Sequence, residues 1–328
     1  MRRWKFLFRL LTALTFAGVA VPRVAHSQDF PSRPITVVVG LPAGGGVDVS
    51  MRRYAELVGR SLGQRIIIEN RPGGGGVVAA MAVKQARPDG YTLLLANSGT
   101  HATLQWLQEL AYDPVKDFSP VSELFYFPSF MTVPARIPAT TVSEFVALAR
   151  VTAGGLTYGS QGVGSNGYLL GTMLKIASGA PLVHVPYPGG SPMNMDTVLG
   201  RLDSSFSTFN FMNEYRKAGK VKFLAVALSQ RSPRVSDVPT MAEAGFPGID
   251  FTSWFGLVAP AGTPADIVAK LNQEFVRAAR DPELAGRLDQ QGIEPKAGSA
   301  EDFAALMRTD TERIGKVIKS IGMTLNDK

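Results

Sequence analysis

Residues 35–50, ITVVVGLPAGGGVDVS, read as a buried strand, a glycine-rich turn and the start of a helix. Ile35 to Val39 is a β-branched apolar run of strand length. Pro42 and the triplet Gly44, Gly45, Gly46 then interrupt regular structure, and glycine has no Cβ to keep a ligand off the backbone. From Asp48 onward Met51, Ala55, Val58 and Leu62 fall at helical spacing. A strand that feeds a helix through bare glycines leaves the helix's first N–H groups unpaired, where the helix dipole also favours an anion. The turn therefore reads as half of a site for a small carboxylate. Asp48 itself has no partner acid, which favours a helix-cap or loop-fixing role over that of a base.

The chain repeats this device. Gly63 stops the first helix, and strand 65–69 runs into Asn70-Arg71-Pro72-Gly73-Gly74-Gly75-Gly76 before a short helix over 77–86. Strand 91–96 ends in Asn97-Ser98-Gly99-Thr100. Strand–helix alternation argues for a parallel sheet covered by helices, with ligands at the carboxyl ends of its strands. Residues 112–138 change texture: Pro114, Pro120, Pro128, Pro134 and Pro138 punctuate short apolar runs, as expected of an extended crossing into a second domain. Phe125-Tyr126-Phe127 and Phe130 within it read as core rather than ligand wall.

The second domain opens with Thr141 and Glu144, a capping box. Strand 156–159 meets the loop Ser160-Gln161-Gly162-Val163-Gly164-Ser165-Asn166-Gly167, ahead of a helix carrying Leu170, Met173, Leu174 and Ala177. Strand 182–185 meets Pro186-Tyr187-Pro188-Gly189-Gly190-Ser191, and strands over 203–207 and 221–227 follow. A second crossing over 250–260 returns the chain to three helices. Thr263 is expected to cap the first, with Pro264 leading it and Ile267, Leu271 and Phe275 on its buried face. Asp281-Pro282 starts the second, ended by Gly292. Ser299 with Asp302 starts the last, striped by Phe303, Met307, Ile314 and Ile318. These helices bring no sheet of their own and pack most simply on the first domain. Two α/β lobes joined by two crossings make a clamshell binder.

Whole-chain numbers fit this reading. A length of 328 residues suits two domains, and 45% apolar with 19% charged residues describes a soluble globular protein. Residues 1–27 read as a secretory signal, with Arg2, Arg3, Lys5 and Arg9 before the apolar stretch 10–21 and Ala25-His26-Ser27 at the cleavage site. A retained membrane anchor is the weaker alternative, because about 20 apolar residues are needed to span a bilayer. Arg2-Arg3 hints at a twin-arginine route, but the residues after it favour the general one. Removing the leader takes Arg2, Arg3, Lys5, Arg9 and Arg23 from the 34 basic residues and leaves 29 against 27 acidic. Such balance gives no reason to expect nucleic acid. Zero cysteines exclude a lipid-anchored cysteine, a disulfide and a thiolate metal site.

Catalytic motifs fail one by one. Gly74-x-Gly76-x-x-Ala79 fits a dinucleotide fingerprint, but the strand that should end in an acid ends at Asn97. Gly40-x-x-x-x-Gly45 is followed by Gly46 instead of the lysine of a phosphate loop. Ser98, Ser160, Ser165 and Ser191 lack the G-x-S-x-G frame. His101 and His184 are the only histidines after the leader, and His184, between Val183 and Val185, reads as a structural residue. No spacing suits a metal, and no cofactor is expected.

Nine stretches carry a resemblance that spans the mature chain in order: FPSRPIT (30–36), PAGGGVD (42–48), ENRPG (69–73), PDGYTLL (88–94), YDPVKDF (112–118), TYGS (157–160), VHVPY (183–187), DVPTMAEAG (237–245) and SWFGLVAPAGTP (253–264). The chain resembles the Bug-type substrate-binding proteins of tripartite tricarboxylate transporters. The resemblance implies a periplasmic receptor of type II, Venus-flytrap architecture, with lobe 1 formed by 28–128 plus 252–328 and lobe 2 by 129–251. It implies a monomer that captures a small organic acid and delivers it to a membrane permease, without chemistry. In the family the carboxylate is held mainly by backbone N–H groups and water. Carried onto this chain, the first-lobe contacts are Ala43, Gly44, Gly45, Gly46 and Val47 with Asp48, then Gly73, Gly74 and Gly75, then Ser98, Gly99 and Thr100. The second-lobe contacts are Ser160, Gly162, Gly164, Ser165 and Asn166, then Tyr187, Gly189, Gly190 and Ser191. Val47 stands where the family usually has a hydroxyl residue, Gly167 replaces a larger polar one, and Pro188 sits where lysine is common. These departures strip polarity from the rim and argue against a tricarboxylate. A secreted hydrolase, or a sensor partner, on the same scaffold are the alternatives.

Overall fold

The computed structural model describes residues 30–320; the leader and its cleavage site lie outside these residues. Two sheets share the chain. The first has the order β11-β4-β10-β3-β1-β2 and the second β7-β6-β8-β5-β9. In the first, β1 (Ile35–Val39), β2 (Ile66–Asn70) and β3 (Thr92–Asn97) are parallel, linked by the helices α1 (Gly46–Leu62) and α2 (Val77–Lys84). In the second, β6 (Leu156–Ser160), β7 (Leu182–Pro186) and β8 (Ser204–Thr208) repeat that arrangement with α4 (Asn166–Ser178) and α5 (Gly190–Val198). The helix α3 (Val142–Val151) precedes β6, and its Thr141–Glu144 capping box forms in full.

Both expected crossings form regular strands. Residues 118–134 form β4 (Phe118–Phe127) and β5 (Ser129–Pro134), with Pro128 alone between them. The second crossing forms β10 (Ser253–Pro260). β10 runs antiparallel between β3 and β4, and β5 antiparallel between β8 and β9 (Val221–Val226). Proline usually marks a strand's edge, because it cannot donate to the ladder. Pro120 is accommodated within β4 where the pairing with β10 slips, between Leu257 and Val258. Phe125 and Phe130 are fully buried, as core.

Helices α6 (Phe209–Lys217), α7 (Ala265–Ala279), α8 (Pro282–Gln290) and α9 (Ala300–Ser320) complete the chain. Leu271 and Phe275 of α7 and Leu284 and Leu288 of α8 pack with Ile35, Val37 and Tyr54 on the first sheet. Asp281 caps α8 and Ser299 caps α9 through Asp302 N–H. Thr263 does not cap α7: Pro264 occupies the cap position, and the Thr263 hydroxyl donates to the Pro260 carbonyl. The terminal region also adds a two-residue strand, β11 (Glu294–Pro295), to the first sheet, so it is not free of sheet as expected. α9 belongs to both halves. Phe303 and Met307 pack with Trp254 and Val258 of the first, whereas Ile314 and Ile318 join Leu170, Leu174 and Phe251 in the second core.

Candidate functional site

The three parallel strands of each sheet end in the glycine loops, and the first-sheet loops are pressed against one another. Gly76, at φ +101°, sits so close to Thr100 that a Cβ would stand 2.7 Å from its methyl group, and no L-residue fits there. Ala43, Gly44, Gly45 and Gly46 are exposed, and Val47 is half-buried. Gly45 ends the turn at φ −73°, leaving α1 without a side-chain cap. α2, entered through Gly73, Gly74 and Gly75, also lacks a side-chain cap, but its first N–H groups are taken within the loop: Val77 N–H bonds the Gly74 carbonyl and Val78 N–H the Gly73 carbonyl. An uncapped helix start such as that of α1 holds N–H groups available to an anion.

Asp48 lies beneath this surface, 3% exposed. Its carboxylate accepts from Gly44 N–H at 2.9 Å, Arg52 Nε at 3.0 Å and Asn70 Nδ2 at 3.0 Å. Asn70 Nδ2 also donates to the Leu41 carbonyl. Burial would raise the carboxyl pKa, but these donors together hold it below its ordinary value. Asp48 is thus the peg of the first loop, as the loop-fixing reading expects. Arg71, the one cation in the glycine loops, is paired with Glu69 at 2.6 Å.

In the third loop Ser98 and Thr100 are buried and Gly99 half-buried, within a π-helical segment, Gly99–Thr103. Thr100 turns inward to His101 Nδ1 at 2.8 Å. His101 is fully buried, and that burial pushes its pKa down to about 3, so the ring is neutral.

The second-sheet loops are built differently. Ser165 caps α4 by accepting from Tyr168 N–H, and its hydroxyl donates to the Gly162 carbonyl at 2.7 Å. Ser160, fully buried, shares a 2.7 Å hydrogen bond with His184 Nε2 and accepts from Gly162 N–H. No carboxylate hydrogen-bonds His184 among the described residues, and the Ser160 side chain is turned inward to His184 and Gly162. Asn166 Nδ2 reaches Ser253 Oγ of β10 at 2.8 Å. Gly190 follows Gly189 without a side-chain cap on α5, Ser191 is exposed, and Tyr187 donates to Asp196.

The two halves meet along one seam. A methyl group on Gly164 would stand 2.8 Å from Leu107, and one on Gly292 2.9 Å from the Asn210 backbone nitrogen. Gln291 lies beside Gly46. The sequence reading omitted Leu107, Asn210 and Gln291; each reaches the seam through the tertiary path, and no local pattern marks them. Arg52 was legible four residues after Asp48 as a helical ion pair.

Two α/β halves of matching strand order, each with glycine loops at the ends of its parallel strands, make the architecture of a two-lobed solute-binding receptor. The chain belongs to the tripartite tricarboxylate transporter receptor family, whose model, "Tripartite tricarboxylate transporter family receptor", matches residues 50–323. Three solved structures show the same fold. An R. palustris protein with adipate is 34% identical, with 90% of this chain and 99% of that one covered at TM-score 0.72. MatC from Rhodopseudomonas palustris with bound malate is 35% identical, with 88% and 100% covered at TM-score 0.69. The periplasmic binding protein BugD is 30% identical, with 90% and 99% covered at TM-score 0.69. These relatives rule out the hydrolase alternative, as the inward Ser160 does.

Proposed function

We propose that this receptor works in the periplasm as a monomer, exported by its leader, and closes on a small organic carboxylate which it hands to a membrane permease. The lobes are 28–128 with 252–328 and 129–251, with the end of α9 clasping the second. The ligand contacts are Ala43–Val47, Gly73–Gly75 and Ser98–Thr100 on one side, and Ser160–Asn166 and Tyr187–Ser191 on the other, with Asp48, Ser160 and Ser165 acting from behind as loop pegs. The observation that carries this reading is the uncapped start of α1 in one half and of α5 in the other, each at a strand end. A carboxylate gains charge-assisted hydrogen bonds from such donors.

Neutral donors compensate one or two carboxylates better than three, and the single loop arginine is already paired with Glu69. The ligand class is therefore a monocarboxylate, or a dicarboxylate with an apolar or aromatic body, in preference to citrate. Adipate, bound by the R. palustris relative, is of this kind. Mass spectrometry of acid released from denatured protein identifies the ligand. A thermal-shift panel of aromatic acids, dicarboxylates, amino acids and citrate tests the class. Ligand about 100-fold above Kd adds roughly 2.7 kcal/mol, which for a chain of this size raises the midpoint by about 4–5 °C. A shift with citrate alone, or only with amines and sugars, overturns the assignment.

A further inference from the structure

Away from the ligand seam, the two halves enclose a cavity of about 440 Å³ lined by Glu123 and Tyr126 of β4, Leu228–Arg231 after β9, Asp250, Glu294, Lys296 and the middle of α9. Most of its charged groups are matched. Tyr126 OH donates to Glu294 Oε2 at 2.6 Å, and Ser232 Oγ donates to Glu294 Oε1 at 2.9 Å. Arg313 pairs with both Asp250 and Asp310, and Arg231 pairs with Glu243. Asp310 also accepts from Trp254 Nε1 at 2.8 Å.

Glu123 is the exception. It is 8% exposed, lines the cavity, and its carboxyl takes part in no hydrogen bond or ion pair among the described residues. The nearby cation is Lys296, whose backbone N–H bonds the Leu124 carbonyl while its side chain stays exposed and without an ion-pair partner among the described residues. Leu228–Arg231, Pro233 and Asp250 in the lining come from the other half. There Arg234 donates to the Asp289 and Ile293 carbonyls at 2.7 and 2.8 Å and fastens the segment after β9 to the region of β11. Any rotation of the lobes that parts these contacts floods the cavity.

We infer that Glu123 is a proton-binding site that couples the packing of the two lobes to pH, the protonated carboxyl favouring the conformer with these walls together. The inference rests on the receptor reading for the lobe motion. Burial chiefly, with a smaller push from Asp310 against the pull of Lys296, raises the Glu123 pKa from 4.5 to about 7 with the walls together. Parted walls let water solvate the carboxylate and return it toward its ordinary value. The walls-together conformer therefore binds the proton more tightly. It is favoured fully below about 4.5, and that preference is lost as pH rises through about 7. Across that interval the conformer ratio changes by up to about 300-fold.

With no cysteine in the chain, Arg87→Cys and Val151→Cys place one spin label on each half. Distance distributions at pH 4 to 8, without added acid, are expected to shift between two populations with a midpoint between about 4.5 and about 7. Glu123→Gln is expected to hold the low-pH distribution throughout, and Lys296→Met to move the midpoint upward. A flat wild-type response, or a Glu123→Gln protein that still titrates like wild type, overturns the inference. An adipate arm at fixed pH separates the two readings. A distance change with adipate but none with pH sinks the proton site alone, whereas a pH response with no effect of any acid in the panel sinks the receptor reading alone.

Discussion

The turns after β1 and β6 occupy equivalent places in their sheets, yet they dispose of helix N–H groups in opposite ways. After β1 the chain uses three glycines, leaves α1 uncapped, and fixes the turn from below through Asp48. After β6 it caps α4 with Ser165 and ties Ser160 to His184. The first turn thus keeps its donors for a ligand, while the second satisfies its own. On the proposed reading, the turn after β1 offers donors to the anion, whereas the turn after β6 contributes shape.

The largest test of that division is Asp48→Ala. Loss of the carboxylate strands Gly44 N–H and the Asn70 amide, and the cost is expected at about 2–3 kcal/mol. The half-exposed Arg52 adds little to this. Urea denaturation gives the stability, and affinity should fall with it because the turn loses its shape. A stable variant with wild-type affinity would show that Asp48 is not the peg. The same carboxylate predicts acid sensitivity. Its folded pKa is depressed, so its contribution is present above the ordinary 3.8 and is lost as pH falls through the folded value. The Asp48→Ala stability profile should be flatter than wild type in that range.

Next in size is Gly45→Val. A Cβ at Gly45 approaches nothing nearer than the Pro42 carbonyl at 3.9 Å, and φ is negative. Folding stability should change by no more than about 0.5 kcal/mol. Affinity should drop at least about tenfold, or about 1.4 kcal/mol, because the side chain fills the space before the α1 N–H groups. Equal calorimetric affinities would remove this turn from the site. The smallest effect is expected from Ser165→Ala, a lost cap worth about 1 kcal/mol. Its affinity should change less than threefold or so. An affinity loss as large as that of Gly45→Val would end the distinction between the turns. In scattering, ligand should reduce the radius of gyration, and an unchanged value at saturation would indicate a pocket that does not close.

Much of the scaffold was legible because local chemistry decided it. Ile35–Val39 could only be a strand; Gly63 at φ +65° and the Thr141–Glu144 box mark ends that short-range steric and hydrogen-bonding rules dictate. The strand identity of 118–134 was hidden by its prolines, since a ladder slip that tolerates Pro120 exists only once β10 is alongside. α6 has too few buried residues to leave a stripe: Met212 alone is buried. In the site, the glycine loops marked candidate donors, but the inward turn of Ser160 depends on His184, which arrives from the neighbouring strand β7. The split of α9 between two cores was likewise invisible, because its apolar stripe is continuous and says nothing about what it faces.

The single residue between β4 and β5 makes the chain unusually intolerant of length changes at its own pivot. Each of these strands is bonded on both flanks, so neither can slide to absorb an extra unit. One residue inserted beside Pro128 would have to shift β5 against β8 and β9, and a shift of one step exchanges its two faces. Phe130, Thr132 and their neighbours would trade places with Met131 and Val133, which now serve a different core. Substitutions at 128 leave that parity intact, whereas indels break it. The joint is therefore fixed in count.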